Sequence, residues 1–223
     1  MSGFHPGSFG ALLETEEIDA IRSRGGLRRF PRGTILFHEG ETPDRVLLLM
    51  SGRVKVSTVS REGHETMLAV RGPGDLLGEL SAVDGDARSA TVAALEAVEA
   101  HTMSTEDFRA VLVEHGRISL LLLDMLSRKL RDADRKRMEF GAYDTVGRVA
   151  SRLIEMADRF GVEHPGEVRL SLPISQEELA GWVGSSREAV SKALRQMRED
   201  GWIETGRKTV TLLDADALRQ RST

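Results

Sequence analysis

Arg88 is the residue of this chain whose chemistry most clearly needs a partner. It lies in the stretch GDLLGELSAVDGDARSATVAA, residues 74–94, among small and apolar residues just before a predicted strand. A guanidinium is costly to bury unless an anion meets it. The segment therefore predicts either a structural ion pair with Asp84, Asp86 or Glu79, or a site for an anionic ligand.

A phosphate suits the groups around Arg88. A guanidinium can donate two parallel hydrogen bonds to phosphate oxygens, and Ser89 and the backbone N–H of Ala90 can add further donors. A short helical turn after Gly78 would also present backbone N–H groups to an anion. The small side chains beside Arg88 leave room for a ligand against the backbone. These features favour a phosphate-bearing ligand over the structural ion pair.

A second stretch, ISQEELAGWVGSSREAVSKALRQM at residues 174–197, has the pattern of a helix-turn-helix. Ser175 and Glu178 form a capping box at the start of one helix. Gly184 permits a tight turn, and Ser186 caps the next helix. In a helix-turn-helix the first residues of the second helix reach base edges in the major groove of DNA.

The charges of this second helix favour DNA over the alternative of an ordinary solvated face. From Ser186 to Arg198, four basic residues against one acidic residue, Glu188, leave +3 in an otherwise acidic protein. Arginine can bind guanine at two atoms, and glutamate can accept a hydrogen bond from cytosine N4. Serines at a helix N-terminus are placed for phosphates. The predicted DNA-binding residues are Ser175, Gln176, Ser185, Ser186, Arg187, Glu188, Ser191 and Lys192.

The elements that position these two stretches differ in their periodicity. Residues 27–103 are short runs of Val, Ile, Leu and Thr separated by Gly, Pro and Asp turns, which is typical of an antiparallel barrel or roll. One amphipathic helix is expected before them in GALLETEEIDAIRS, with a start signal at Thr15. After them, TEDFRAVLVEHG predicts a helix capped by Thr105 that ends at Gly116.

A long helix is predicted from Arg117 to about Phe140, since this stretch contains no Gly or Pro. It carries a heptad-like seam, which fits either packing on its own domain or pairing with the same helix of a second subunit. The stretch GAYD at 141–144 interrupts the helix and predicts a hinge. The seam residues are Leu123, Leu126, Leu130, Ala133, Arg137 and Phe140.

Together these elements predict an α+β protein. We expect an N-terminal antiparallel β-roll that binds an effector over residues 1–116, with the N-terminal helix included. A dimerisation helix and hinge follow over 117–143, and a winged helix-turn-helix over 144–223, with its wing around Gly206.

The composition narrows the function classes. The chain has 223 residues, a net charge of −4 and no cysteine, which excludes disulfides, thiolate nucleophiles, iron–sulfur clusters and Cys-based zinc sites. The N-terminus lacks a signal-peptide pattern, and the longest apolar run is too short to span a bilayer, so we expect a cytoplasmic protein without a membrane partner. The six histidines are scattered and no catalytic motif occurs. We expect neither an enzyme nor a metal protein.

The motifs GELSAVDGDARSA, DTVGRVASRL and VGSSREAVSKALRQM resemble those of the cyclic AMP receptor protein/fumarate-nitrate regulator (CRP/FNR) family of bacterial transcription factors. The resemblance runs in order from about Leu12 to Asp214. It implies a homodimer that binds a palindromic operator in double-stranded DNA, is controlled allosterically and works with RNA polymerase. In the family, the residues matching Arg187, Glu188 and Lys192 read each half-site; the best-known members carry Arg at the third position.

The resemblance also implies an effector. In the family GEL…RSA is a phosphate-binding cassette for a cyclic nucleotide, with Glu79 accepting from a ribose hydroxyl, and cyclic AMP is the favoured ligand. The hydroxyl residues that bond adenine in cyclic-AMP-responsive members align with Ala133 and Asp134. Ala133 cannot make this bond, whereas Asp134 could accept from an exocyclic amine or from the guanine N1–H and N2–H₂ edge. The expected ligand-binding residues are Gly78, Glu79, Leu80, Arg88, Ser89, Ala90, Ala133 and Asp134.

Three alternatives remain open at this point. The effector could be cyclic GMP or another nucleotide, or the protein could be active without a ligand. A protein of another class, a cyclic-nucleotide-binding regulatory subunit that controls a partner protein, is disfavoured by the helix-turn-helix.

Overall fold

The computed structural model describes residues 4–60, 62–63 and 65–222. It comprises two compact units, residues 1–59 with 68–131, and residues 60–67 with 132–223. The helices of the first unit are α1 (Phe9–Leu12), α2 (Thr15–Arg22), α3 (Glu79–Asp84), α4 (Thr105–Glu114) and the first part of α5 (Gly116–Ala142). Its strands are β1 (Gly26–Phe30), β2 (Ile35–Phe37), β3 (Arg45–Ser51), β4 (Val54–Val59), the last four residues of β5 (Glu65–Arg71), β6 (Leu76–Leu77), β7 (Thr91–Ala94) and β8 (Val98–Ser104).

The strands of the first unit form two four-stranded sheets, in the orders β1-β8-β3-β6 and β2-β7-β4-β5. Strand β3 shows how they are covered, because successive side chains of a strand point to opposite faces. Leu47 and Leu49 pack with residues of both sheets, whereas Val46 and Leu48 pack with α1, α2, α4 and the start of α5. This arrangement confirms the antiparallel β-roll that the strand pattern predicts.

Two expectations for the helices of this unit are wrong in detail. The N-terminal segment forms two helices, because Leu13 and Glu14 are extended; Glu14 is the N-cap of α2, and its N–H donates to Glu17. Helix α4 is capped by Ser104, whose Oγ accepts from the N–H of Asp107 at 3.0 Å. A cap residue must be non-helical, and Thr105 is already the first helical residue.

His101 is a buried histidine on β8, and its Nε2 lies 3.0 Å from the carbonyl oxygen of Ile21 at the end of α2. Burial lowers the pKa of His101 below its ordinary value of 6.5. The folded protein therefore holds this imidazole neutral, with the Nε2–H donating to Ile21.

We expect the stability of the first unit to fall as the pH drops below about 6.5, because the unfolded chain then binds a proton that folded His101 does not. The contribution of neutral His101 to the free energy of unfolding is complete above that pH and is lost as the pH falls towards the lower folded-state pKa. Over this range the free energy of unfolding changes by at most about 1.4 kcal/mol per pH unit. The variant His101→Gln keeps a donor for Ile21 but does not titrate. Its thermal midpoint should change less than that of the wild type between about pH 7.5 and 5.5, and equal slopes would contradict the assignment.

The second unit contains the end of α5 and a winged helix-turn-helix. Its further elements are α6 (Thr145–Phe160), β9 (Gly161–His164), β10 (Glu167–Ser171), α7 (Gln176–Val183), α8 (Arg187–Glu199), β11 (Ile203–Gly206), β12 (Thr209–Leu212) and α9 (Ala215–Arg221). The strands form one sheet in the order β11-β12-β10-β9, and α6 packs against α7, α8 and α9. Strand β9 and helix α9 are elements that the sequence pattern did not reveal.

The junction of α5 and α6 contains a buried network of charges. Arg152 on α6 bonds Glu139 of α5, and its Nη1 donates to Glu155 at 2.7 Å. Lys136 of α5 also contacts Glu155, at 3.1 Å. The guanidinium of Arg152 and the ammonium of Lys136 lie 5.7 and 5.9 Å from the ring centroid of Trp182 on α7. The network thus links three helices of the second unit.

The turn between α7 and α8 is built around Gly184, as the sequence predicts. Its φ of 59° and ψ of 50° are left-handed, a conformation that favours glycine. A Cβ at this position would also overlap the ring of Phe140, at the end of α5. Beside the turn, the hydroxyls of Ser185 and Thr145 lie 3.0 Å apart. The left-handed backbone is therefore what requires glycine at 184, because the half-exposed ring of Phe140 has room to turn away.

Candidate functional site

Arg88 is a buried cation with incomplete compensation. Its side chain is only 2% exposed, and its one ion pair in the described part of the chain is to Asp44, at 3.3 Å. The Asp44 side chain is 57% exposed, so much of that charge is in contact with water. Burial lowers the pKa of Arg88, and the charge of Asp44 opposes that shift. The guanidinium still carries its charge, because an arginine pKa far above neutrality leaves it protonated.

The other contacts of Arg88 fix its orientation without neutralising it. Nη1 donates to the carbonyl of Gly78 at 3.0 Å, and Nη2 donates to the carbonyl of Arg45 at 2.6 Å. The guanidinium carbon lies 4.0 Å from the centroid of the Phe37 ring, a stacking distance. Nε is buried, and no hydrogen-bond partner for it occurs within residues 4–60, 62–63 and 65–222. The site therefore has a positioned cation with an unused donor.

The ion pairs around Arg88 are not those considered in the sequence analysis as a structural role for this residue. Among the residues described, Arg88 pairs with none of Asp84, Asp86 and Glu79. Glu79 is buried, and its Oε1 accepts from Lys129 on α5 at 2.7 Å. Asp44, Phe37 and Lys129 are thus site residues that sequence reasoning missed. No local pattern points to them, because they lie 44 to 51 positions from the groups they contact.

The remaining cassette residues lie around this cation. Gly78 has a φ of 79°, and a Cβ there would lie 2.5 Å from Nη1 of Arg88, so glycine is required on both grounds. Ala90 is buried, whereas Ser89 and Leu80 are exposed. The hydroxyl of Ser89 has no bond to the described residues and is free to donate to a ligand.

Ala133 and Asp134, the two residues predicted to face the base of a nucleotide, lie on the part of α5 that belongs to the second unit. Both are exposed. The carboxylate of Asp134 forms no hydrogen bond or ion pair with the described residues, whereas its neighbour Asp132 pairs with Arg135 and Lys136. Asp134 is a free acceptor on the surface of α5.

The predicted DNA-binding residues fall into two groups. The first consists of serines whose hydroxyls already act inside the protein. Ser175 accepts from the N–H of Glu178 at 3.1 Å, which confirms the capping box, and Ser186 accepts from the N–H of Ala189 at 3.2 Å. The hydroxyl of Ser185 is bonded to Thr145. These serines primarily shape the two helices.

The second group carries the charges. Arg187, Glu188 and Lys192 are exposed on the first two turns of α8, and none of them forms an ion pair or hydrogen bond with another described residue. Arg187 and Glu188 are the first two residues of the helix, the positions that enter the major groove in a helix-turn-helix. Gln176 and Ser191 are bonded to one another at 2.7 Å. The arrangement leaves three unpaired charged side chains available to base edges.

Comparisons with known proteins match the N-terminal and C-terminal parts of the chain to two different domain families. A cyclic nucleotide-binding domain family matches residues 27–115, and a Crp-like helix-turn-helix domain family matches residues 147–221. A CRP-like cAMP-activated global transcriptional regulator of Mycobacterium tuberculosis is 37% identical over 220 residues, which cover 99% of this chain and 94% of that protein. The chain belongs to the CRP/FNR family.

Other members of the CRP/FNR family are similar over most of their length. The cyclic AMP receptor protein of Thermus thermophilus is 32% identical over 208 residues, or 93% of each chain. The solved structure of the c-di-GMP responsive global regulator CLP of Xanthomonas campestris has a TM-score of 0.77 and 25% identity, and covers 89% of this chain and 99% of that chain.

Membership of the CRP/FNR family establishes this chain as a DNA-binding transcription regulator with a cyclic nucleotide-binding domain. The family expectation drawn from the sequence motifs is therefore confirmed, and the relatives are transcription regulators rather than enzymes. In the described part of the chain, no group of His, Asp or Glu residues could hold a metal ion, and no helix is long and apolar enough to cross a membrane.

Proposed function

We propose that this protein is a cytoplasmic homodimeric regulator whose binding to a palindromic operator is controlled by cyclic AMP held at Arg88. The observation that carries the proposal is the buried guanidinium of Arg88, with a partly solvated counter-ion and an unpaired Nε. A cyclic phosphate would supply the missing negative charge and accept from this arginine. Residues 1–116 would bind the effector, 117–143 would form the dimer helix and hinge, and 144–223 would bind DNA.

The exposed apolar side chains of α5 support the homodimer. Leu120, Leu123 and Leu130 are 67%, 59% and 65% exposed in this single chain. Leu123 and Leu130 are seven residues apart on the predicted seam, the spacing of a helix that pairs with another helix. Leu126, between them, packs partly on the core of its own unit. One side of α5 thus packs on its own unit, and the opposite side leaves leucines exposed that could pack against a second copy.

A physical link between the effector and α5 supports allosteric control. Glu79 is already bonded to Lys129 of α5. A ribose hydroxyl that donates to Glu79 would share this carboxylate with Lys129, so a bound nucleotide would contact the long helix indirectly. A ligand shifts a conformational equilibrium only if its contacts differ between the two states. We propose that the contacts of this shared carboxylate differ between the two states. The resulting change in DNA binding would then control how RNA polymerase is engaged at the operator.

Asp134 favours a second candidate effector that contains guanine. The relatives are named for different nucleotides, cAMP in Mycobacterium tuberculosis and c-di-GMP in Xanthomonas campestris. Ala133 offers no hydrogen bond, whereas the free carboxylate of Asp134 suits the N1–H and N2–H₂ donors of guanine. Cyclic GMP is therefore the competing ligand, ahead of a protein that binds DNA without a nucleotide.

Selection of DNA from a random duplex library tests the proposal. The wild-type protein should enrich an inverted repeat whose half-sites are one helical turn apart, about 10 base pairs. Cyclic AMP should increase the affinity for that operator at least about tenfold, measured by fluorescence anisotropy, which corresponds to a coupling of about 1.4 kcal/mol. Cyclic GMP in a parallel titration decides between the two effectors.

Arg187→Ala should abolish the enrichment, because a bidentate contact to guanine contributes roughly 10- to 100-fold of base discrimination. Gln196→Ala is the matched control, since Gln196 is exposed on the same helix and bonds Asp200 instead. If Arg187→Ala selected the same repeat as the wild type, the assignment of α8 as the reading helix would be wrong. If neither nucleotide changed the affinity, allosteric control by these effectors would be rejected.

A further inference from the structure

Ser191 and Gln176 connect the two helices of the DNA-binding motif. Gln176 is the first residue of α7, and Ser191 lies one turn after Arg187 on α8. The hydroxyl of Ser191 donates to Oε1 of Gln176 at 2.7 Å. Gln176 is exposed and Ser191 is partly exposed, so the bond lies at the surface of the motif.

This bond fixes which way the amide of Gln176 faces. The carbonyl oxygen is engaged by Ser191, so the amide nitrogen points away from it and carries two donors. No described residue accepts from that nitrogen. Reading of adenine by glutamine requires the amide oxygen and nitrogen together, to bind N6 and N7 at once. Because Ser191 engages the oxygen and holds it towards α8, the two N–H donors are the part of the amide that faces away from the protein.

We propose that Ser191 is a positioning residue that holds Gln176 as a donor to a phosphate oxygen of the DNA backbone and does not itself read a base. The proposal rests on the DNA-binding function. In a helix-turn-helix the first helix crosses the backbone, so its first residue is close to phosphates. Glu178 is turned back onto the N–H of Ser175, and Glu177 lies about 100° round the helix from Gln176.

The test compares five variants of the full-length protein with the wild type: Ser191→Ala, Ser191→Thr, Gln176→Ala, the double alanine variant and the Gln196→Ala control. Each is titrated, with the nucleotide that supports binding, against the selected operator and against a scrambled duplex. Gln176→Ala should weaken both affinities by roughly tenfold, the effect of one hydrogen bond to a charged acceptor. Ser191→Ala should weaken both by about threefold, since the amide remains but is free to rotate.

The pattern among the variants separates positioning from direct reading. We expect the double variant to bind as Gln176→Ala does, Ser191→Thr and Gln196→Ala to bind as the wild type does, and base preferences to stay unchanged throughout. A changed preference at any base pair in Ser191→Ala, an additive loss in the double variant, or unchanged affinity in either single alanine variant would overturn the proposal. Failure of the DNA-binding function is recognised separately, because the wild type itself would then select no inverted repeat.

Discussion

Arg88→Ala is expected to weaken cyclic nucleotide binding by at least about 100-fold. Hydrogen bonds to charged groups contribute about 1.5–3 kcal/mol each, and a guanidinium can form two with a phosphate. Arg88 is held over Phe37 and its Nε has no partner among the described residues, so Nε can donate to the phosphate at once, whereas the second bond exchanges one of the present contacts of an Nη atom. Calorimetric titration with the effector identified by DNA binding measures the loss.

Two further variants serve as controls for the effect of Arg88→Ala. Arg88→Lys keeps the charge but loses the fork of donors, so its affinity should lie between those of the wild type and the alanine variant. Arg29→Ala removes an exposed arginine of the same unit, which pairs with Glu99 at 2.6 Å, and should bind as the wild type does. If Arg88→Ala remained folded by thermal melting and bound the nucleotide with wild-type affinity, the site would lie elsewhere.

Arg152→Met should lower the free energy of unfolding of the second unit by about 3–5 kcal/mol, because buried Glu139 loses its bonded cation and keeps only the longer ion pair to the exposed Arg135, at 3.7 Å. Glu139 and Arg152 have side chains only 6% and 3% exposed, so water cannot replace the lost charge. Methionine fills much of the volume of the arginine side chain, so the loss in stability reports the missing charge rather than a cavity. Urea unfolding followed by tryptophan fluorescence suits this measurement, since Trp182 and Trp202 both lie in the second unit.

An exposed ion pair provides the comparison for Arg152. Arg169 bonds Glu167 at 2.8 Å, and its side chain is 64% exposed, so Arg169→Ala should cost at most about 1 kcal/mol. Adding Glu139→Leu to Arg152→Met should recover part of the loss, because a buried pair can often be replaced by apolar residues of similar volume. Equal effects of Arg152→Met and Arg169→Ala would show that the buried network contributes no more than a surface pair.

The features that could be predicted from the sequence are those set by neighbours along the chain. The capping box of Ser175 and Glu178 joins residues three apart, and the turn at Gly184 follows from its own backbone. The β-roll could be predicted because the short runs of Val, Ile, Leu and Thr, and the Gly, Pro and Asp turns between them, are also local patterns. The break at Leu13 and Glu14 was missed because the apolar spacing continues across it, whereas in the structure α2 begins with a capping box of Glu14 and Glu17.

The contacts that define the site are, by contrast, non-local. A charge among apolar residues identified Arg88 as a group in need of an anion, but not Asp44, which lies 44 positions away. Lys129 meets Glu79 across 50 positions, and only the fold brings them together. The unpaired charges of α8 could be predicted, whereas the bond between Gln176 and Ser191 could not, because its geometry depends on the crossing of two helices.

Gly184 has a consequence for how this sequence can vary. The constraint lies in the left-handed backbone, because the ring of Phe140, which a Cβ at 184 would meet, is 50% exposed and has room to turn away. Asparagine tolerates a left-handed backbone, so it is the replacement that position 184 should accept with Phe140 still in place. A β-branched residue at 184 would instead strain the turn that sets the crossing of the two DNA-binding helices.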